Sequence, residues 1–160
     1  MSTMTSNLYP PLVEDILPSI NYKQDSFKIY FTFPLYTSST DIDYIQVSIT
    51  NQQTNLSAFS ADYPVGIKVT SKWFVEDLDS EYNYYIEVNK SELLNGGLQL
   101  NNFYKVQLRF GNLLYAGEEI PENPKYDWIN SHKNKCSEWS KVCLIKGINP
   151  PTIYINEFPN

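Results

Sequence analysis

Tyr104, Val106, Leu108 and Phe110 alternate with Lys105, Gln107 and Arg109. A strict period of two puts the apolar side chains on one face of an extended strand and the polar ones on the other. A helix cannot satisfy it, because side chains that share a helical face lie three and four residues apart. The same period recurs at Phe27, Ile29, Phe31 and Phe33, set against Lys28, Tyr30 and Thr32, and Pro34 ends that run. It returns at Ile45, Val47 and Ile49, which lead into the polar turn Asn51–Asn55, and again at Tyr82, Tyr84, Ile86 and Val88. No long 3.6-period segment interrupts these runs. Seven or so short strands separated by turn signals predict an all-β fold, an antiparallel β-sandwich.

Weaker signals fill the remainder. Leu8-Tyr9-Pro10-Pro11-Leu12-Val13 lacks two backbone donors and suits a sheet edge or a lead-in. Gly66–Thr70 reads as a short strand, and Ser71–Val75 continues or pairs with it around Trp73. Ser91–Gly97 reads as one helical turn stopped by glycine. Gly111–Lys135 breaks the alternation, and a short helix near Asp127–His132, anchored by Trp128 and Ile129, is expected within it. Ser137–Lys146 reads as the last strand. The expected organisation is a mobile tail over 1–7, one sandwich over 8–147, and an extension or the start of a following module over 148–160. Asn149-Pro150-Pro151-Thr152-Ile153 echoes the lead-in at Tyr9-Pro10-Pro11.

Composition narrows the function. The formal net charge is −6 and Arg109 is the single arginine, so nucleic acid is not the expected partner. No apolar run is long enough to span a membrane, and Met1–Asn7 carries no visible signal peptide. Cys136 and Cys143 on one extended strand would lie about 23 Å apart, too far for a disulfide, which needs Cα atoms within about 7 Å. They are therefore expected to be free thiols. With one histidine, metal binding is not expected, and neither is a cofactor.

Residues that could carry chemistry have plainer readings. His132 neighbours Ser131 and Asp127 but lacks a nucleophile elbow, and it reads as a loop histidine. Asp77, Asp79 and Glu81 alternate as calcium ligands might, without the glycine of a tight calcium loop, and they read as a solvated acidic turn, as do Asp41 and Asp43. Nothing in the spacing of Glu118, Glu119 and Glu122 singles out a glycosidase pair. Asn55-Leu56-Ser57 and Asn89-Lys90-Ser91 match the glycosylation pattern by chance in a chain without a visible secretory signal.

Two resemblances add to this. Leu98, followed six residues later by Tyr104, Val106 and Leu108, and then Trp139-Ser140 opening the last strand, resembles the end of a fibronectin type III domain. The resemblance implies an immunoglobulin-like sandwich with a long F–G insert. In it Tyr104 forms the tyrosine corner with Leu98 beside it, Trp139 and Ser140 open strand G, and strands B and C fall at Phe27–Phe33 and Tyr44–Ile49. The chain differs from that family in lacking a strand-B tryptophan and in the length of the insert. Tyr9-Pro10-Pro11, Tyr104–Phe110 and Ser137–Lys146, in that order, are also similar to amino-terminal parts of tailed-phage virion structural proteins of the tail, baseplate or fibre. That similarity implies a place in a virion and no chemistry. A virion protein leaves the cell by lysis and needs neither a leader nor disulfides.

These readings lead to the expectation of a non-enzymatic structural and attachment module, docked to other virion proteins or to copies of itself. Tyr9, Tyr115, Tyr126 and Trp128 are the candidate interaction surface, because Tyr and Trp dominate interface anchors and loops on a rigid scaffold often carry recognition. Trp128 has a second reading, in which it folds inward to pin the insert. The alternative function is a carbohydrate-binding module for a host-surface glycan, which requires two or three coplanar exposed rings with Asn or Asp nearby.

Overall fold

The computed structural model describes residues 8–17, 26–35, 37, 39–60, 67–71, 74–78, 84–114, 119–121 and 124–147. The expected tail over 1–7 and extension over 148–160 lie outside that set, as do Tyr36, Tyr63, Trp73, Asp79, Glu81, Tyr82, Tyr115, Glu118 and Glu122.

The described chain is all-β, with strands β1 (Leu12–Leu17), β2 (Ser26–Thr32), β3 (Tyr44–Asn51), β4 (Ile67–Ser71), β5 (Val75–Glu76), β6 (Tyr84–Asn89), β7 (Phe103–Leu113), β8 (Lys133–Cys136) and β9 (Cys143–Lys146). A single α-helix among the described residues, α1, covers Tyr126–His132, close to the position expected from the sequence. The strands pair antiparallel into two sheets. One runs β1-β2-β6-β5; in the other, β4-β3-β7 is followed by β8 and β9, both of which pair with β7.

The period of two explains how the sheets meet. Phe27, Ile29 and Phe31 of β2 and Ile86 and Val88 of β6 share one buried cluster with Ile45, Val47 and Ile49 of β3 and Val106, Leu108 and Phe110 of β7. Each fully buried side chain of this size is worth roughly 1.5–3 kcal/mol in transfer free energy. One end of the cluster is aromatic. The Phe33 ring lies 4.6 Å from Tyr84, 5.2 Å from Phe110 and 5.7 Å from Phe74, at tilted or edge-on angles. Along one flank, the Lys68 ammonium on β4 reaches the Glu92 carboxylate at 2.8 Å and the Glu87 carbonyl on β6 at 3.0 Å. That link sets β4 over the β6 side of the other sheet.

Local chemistry accounts for the turns. After β3 the Asn51 side chain accepts the N–H groups of Gln53 and Thr54, and Asn55 takes a left-handed conformation. Asparagine tolerates that conformation better than most residues. The single helical turn expected at Ser91–Gly97 is two 3₁₀ turns, Lys90–Glu92 and Leu94–Gly96. Leu93 separates them because it is extended and buried, bridging Phe59.

The last strand is shorter than expected. Ser137–Lys146 is expected as one strand, yet only its end, β9, is one; 137–142 bulges, and the strand before it, β8, falls largely in the expected insert Gly111–Lys135. The hydrogen bonds supply the reason. Ser137 and Ser140 donate their N–H groups to the carbonyls of Phe110 and Leu108, both at 2.8 Å. Their hydroxyls accept the N–H groups of the same two residues at 3.0 Å. A step of three residues on this side thus matches a step of two on β7, and the ladder of β7 stays satisfied while its partner bulges. Cys136 and Cys143 fall on either side of the bulge, and neither is in a disulfide.

Candidate interaction surface

The outer face of the β4-β3-β7 sheet is not bare. On β3 the residues opposite in facing to Ile45 and Val47 are Tyr44 and Gln46, and both are buried. Tyr44, Val69, Leu113 and the fully buried Ile129 of α1 form a second apolar cluster. Ile120, Tyr126, Trp128 and Trp139 pack against it. The described part of the insert between β7 and β8, Ile120 and α1, therefore packs on the sheet as a third layer. Its attachment is also polar: Leu114 N–H donates to the His132 carbonyl at 2.7 Å, and Lys135 N–H to the Asn112 side chain at 3.0 Å.

Gly111 makes room for this layer. It pairs with Tyr44 across the strands, and a Cβ built on it would fall inside the Tyr44 ring. The Tyr44 ring thus lies over Gly111 on β7. Burial pushes the Tyr44 phenol far above its ordinary pKa, with Cys136 and Asp43 adding to the rise and Arg109 opposing it. Asp43 itself extends the β7 edge, its carboxylate accepting the Leu113 N–H at 2.8 Å.

Trp139 and Ser140 act together at the edge of this layer. The Arg109 guanidinium lies 4.4 Å from the centre of the Trp139 ring and donates through Nε to the buried Gln46 side chain. A partly buried guanidinium over an indole ring contributes on the order of 1 kcal/mol. Beneath, the Tyr104 hydroxyl accepts the Gln99 N–H at 2.9 Å, with Leu98 buried beside it. Gly147, just after β9, lies against the Gln99 carbonyl, which a side chain there would overlap.

The candidate aromatics do not converge on one patch. Tyr126 and Trp128 are half-buried in the outer cluster, and Tyr9 is 54% exposed in the lead-in to β1, an edge strand of the other sheet. Tyr115 lies outside the described residues. Trp128 stacks face to face on His132 at 4.0 Å, so its ring is committed within the helix.

The catalytic and metal candidates take structural partners. His132 Nδ1 faces the Trp128 carbonyl at 2.8 Å, and a nitrogen facing a carbonyl carries the proton. It is therefore not placed to take a proton from Ser131, whose hydroxyl lies 2.9 Å away and itself donates to the Trp128 carbonyl. Asp77 accepts the Tyr30 hydroxyl at 2.9 Å, Asp41 and Glu119 are exposed, and among the described residues no three His, Cys, Asp or Glu side chains gather as metal ligands. No helix among them is long and apolar enough to cross a membrane.

A period of two puts Gln46 and Arg109 on the polar faces of their strands and gives no sign that they meet Trp139. The available signal was Gly111, since glycine inside a strand marks close approach of something else. These features define an all-β scaffold of two sheets with an added layer. No protein-family model matches the chain, and no curated protein sequence matches it significantly.

Proposed function

We propose that this chain is a non-enzymatic structural and attachment module of a tailed-phage virion, built as a fibronectin type III-like sandwich and acting by protein–protein docking. The strand order supports the sandwich assignment. Read as A-B-E-D, β1-β2-β6-β5 forms one sheet, and β4-β3-β7 with β8 and β9 reads as C′-C-F-G. The Tyr104 hydroxyl on the Gln99 N–H is the bond expected of a tyrosine corner.

The observation that carries the docking reading is the contrast between a closed interior and apolar side chains left outside. Leu35, Leu78 and Leu56 are 80%, 83% and 66% exposed, while among the described residues Tyr126, Trp128 and Trp139 pack against the outer cluster. Nearest-neighbour ring contacts such as Phe33–Tyr84 and Tyr30–Tyr85 are tilted or edge-on, which does not favour a flat sugar platform. The test is native mass spectrometry of the chain with other components of the particle, beside a glycan titration followed by tryptophan fluorescence. A stoichiometric protein complex and no fluorescence change with glycans are expected. Saturable glycan binding without any protein complex would replace this reading with the carbohydrate-binding one.

A further inference from the structure

Charge is divided between the two flanks of the scaffold. The segment 133–146 carries four lysines and one glutamate in a chain of net charge −6. Lys133, Lys141 and Lys146 are exposed along β8 and β9, and Val142 and Leu144 beside them are each 49% exposed. The strip follows β7 from Leu113 to Phe103, about 33 Å at about 3.3 Å per residue. The opposite flank is acidic: Glu76 is exposed, Asp77 follows it, and Val75 and Leu78 are 46% and 83% exposed.

The topology makes these flanks opposite. β5 ends the first sheet next to β6, and Lys68 ties β4 to that same side. β8 and β9 lie at the far end of the second sheet from β4. One molecule can therefore use both flanks at once.

We infer that the β8–β9 edge docks the acidic β5 segment, Val75–Leu78, of a second copy of this chain, head to tail. The two surfaces match in sign and in kind: four lysines outnumber the exposed Glu138 on one, Glu76 and Asp77 lie on the other, and each sets exposed aliphatic side chains among these charges. Opposite potentials steer association and fix register. A heterologous contact of this type closes into a ring or extends as a filament, according to the rotation between copies. The inference rests on the docking reading and names its partner.

Sedimentation velocity on the whole chain tests it with two charge-reversal variants, K133E/K141E/K146E and E76K, each checked for a wild-type circular dichroism spectrum. At low salt the wild type should sediment faster as its concentration rises. It should return to a monomer near 1 M salt, where the screening length falls to about 3 Å. Each variant alone should associate at least tenfold more weakly than wild type. Because the contact is heterologous, mixing the two restores one native interface, and the mixture should form at least a one-to-one dimer that neither variant forms alone. A wild-type monomer at every concentration would overturn the inference, as would a mixture that stays monomeric. A wild-type monomer that still binds another particle protein would remove the self-contact and leave the docking reading standing.

Discussion

The two apolar clusters are made in different ways. The cluster between the sheets is built from the inward residues of alternating strands. The cluster on the outer face is built from the outward neighbours themselves, Tyr44 and Val69, capped by Ile129 from the insert. β3 is consequently buried on both faces through Tyr44–Val47. One core follows from a periodic pattern. The other depends on a loop that returns to a sheet already formed.

This difference predicts unequal costs. Phe110→Ala, in the inner cluster, should lower stability by about 3–5 kcal/mol in urea denaturation, since it empties a site among Phe31, Phe33 and Leu108. Ile129→Ala should cost about 2 kcal/mol, at the low end for such a truncation, because one side of its site is a surface helix that can settle. Equal costs would break the distinction. Gly111→Val tests the join between the layers: its side chain must displace the Tyr44 ring, at about 1–3 kcal/mol. Near-infrared or visible probes are not needed, since loss of tyrosine and tryptophan signal in near-ultraviolet circular dichroism reports the ring directly.

Two smaller effects sharpen the comparison. Tyr104→Phe removes the bond to the Gln99 N–H and should cost about 1 kcal/mol or somewhat more. An unchanged urea midpoint would mean that this corner contributes no net stability. The Tyr44 phenol gives the outer cluster a pH signature. Its pKa is raised on folding, so its contribution is complete below its unfolded value and is lost as pH rises through the folded one. Above about pH 10 stability should fall by up to about 1.4 kcal/mol per pH unit from this group. Thermal melts of Tyr44→Phe should be flatter over that range than those of the wild type.

Legibility in the sequence follows the same division. The strands at Phe27–Phe33, Ile45–Ile49 and Tyr104–Phe110 were readable because only one of their faces was asked to be apolar. The helix near Trp128 was readable because an insert of that length rarely lacks structure. The outer layer was not, because Gln46 and Arg109 are polar and a period of two assigns them to water. Their partners, each other and the Trp139 ring, are distant in the chain. The bulge at 137–142 escaped for another reason: Ser137 and Ser140 use hydroxyls where a strand uses its backbone, and a propensity reading has no term for that exchange. Of the site, Trp139, Ser140, Leu98 and Tyr104 were found in supporting positions. Tyr126 and Trp128, expected on an interaction surface, pack against the outer cluster instead, which for Trp128 is the second of its two readings.

Native-state hydrogen exchange, resolved by residue, tests the layered scaffold most directly. The account predicts two tiers: β2, β3, β6 and β7 amides open only with global unfolding, and the Ile129 amide, bonded to the Lys125 carbonyl at 3.0 Å, opens at a lower but still substantial free energy. Exchange of α1 at the rate of a free peptide would contradict the account, because the insert would then not be a layer of the scaffold at all.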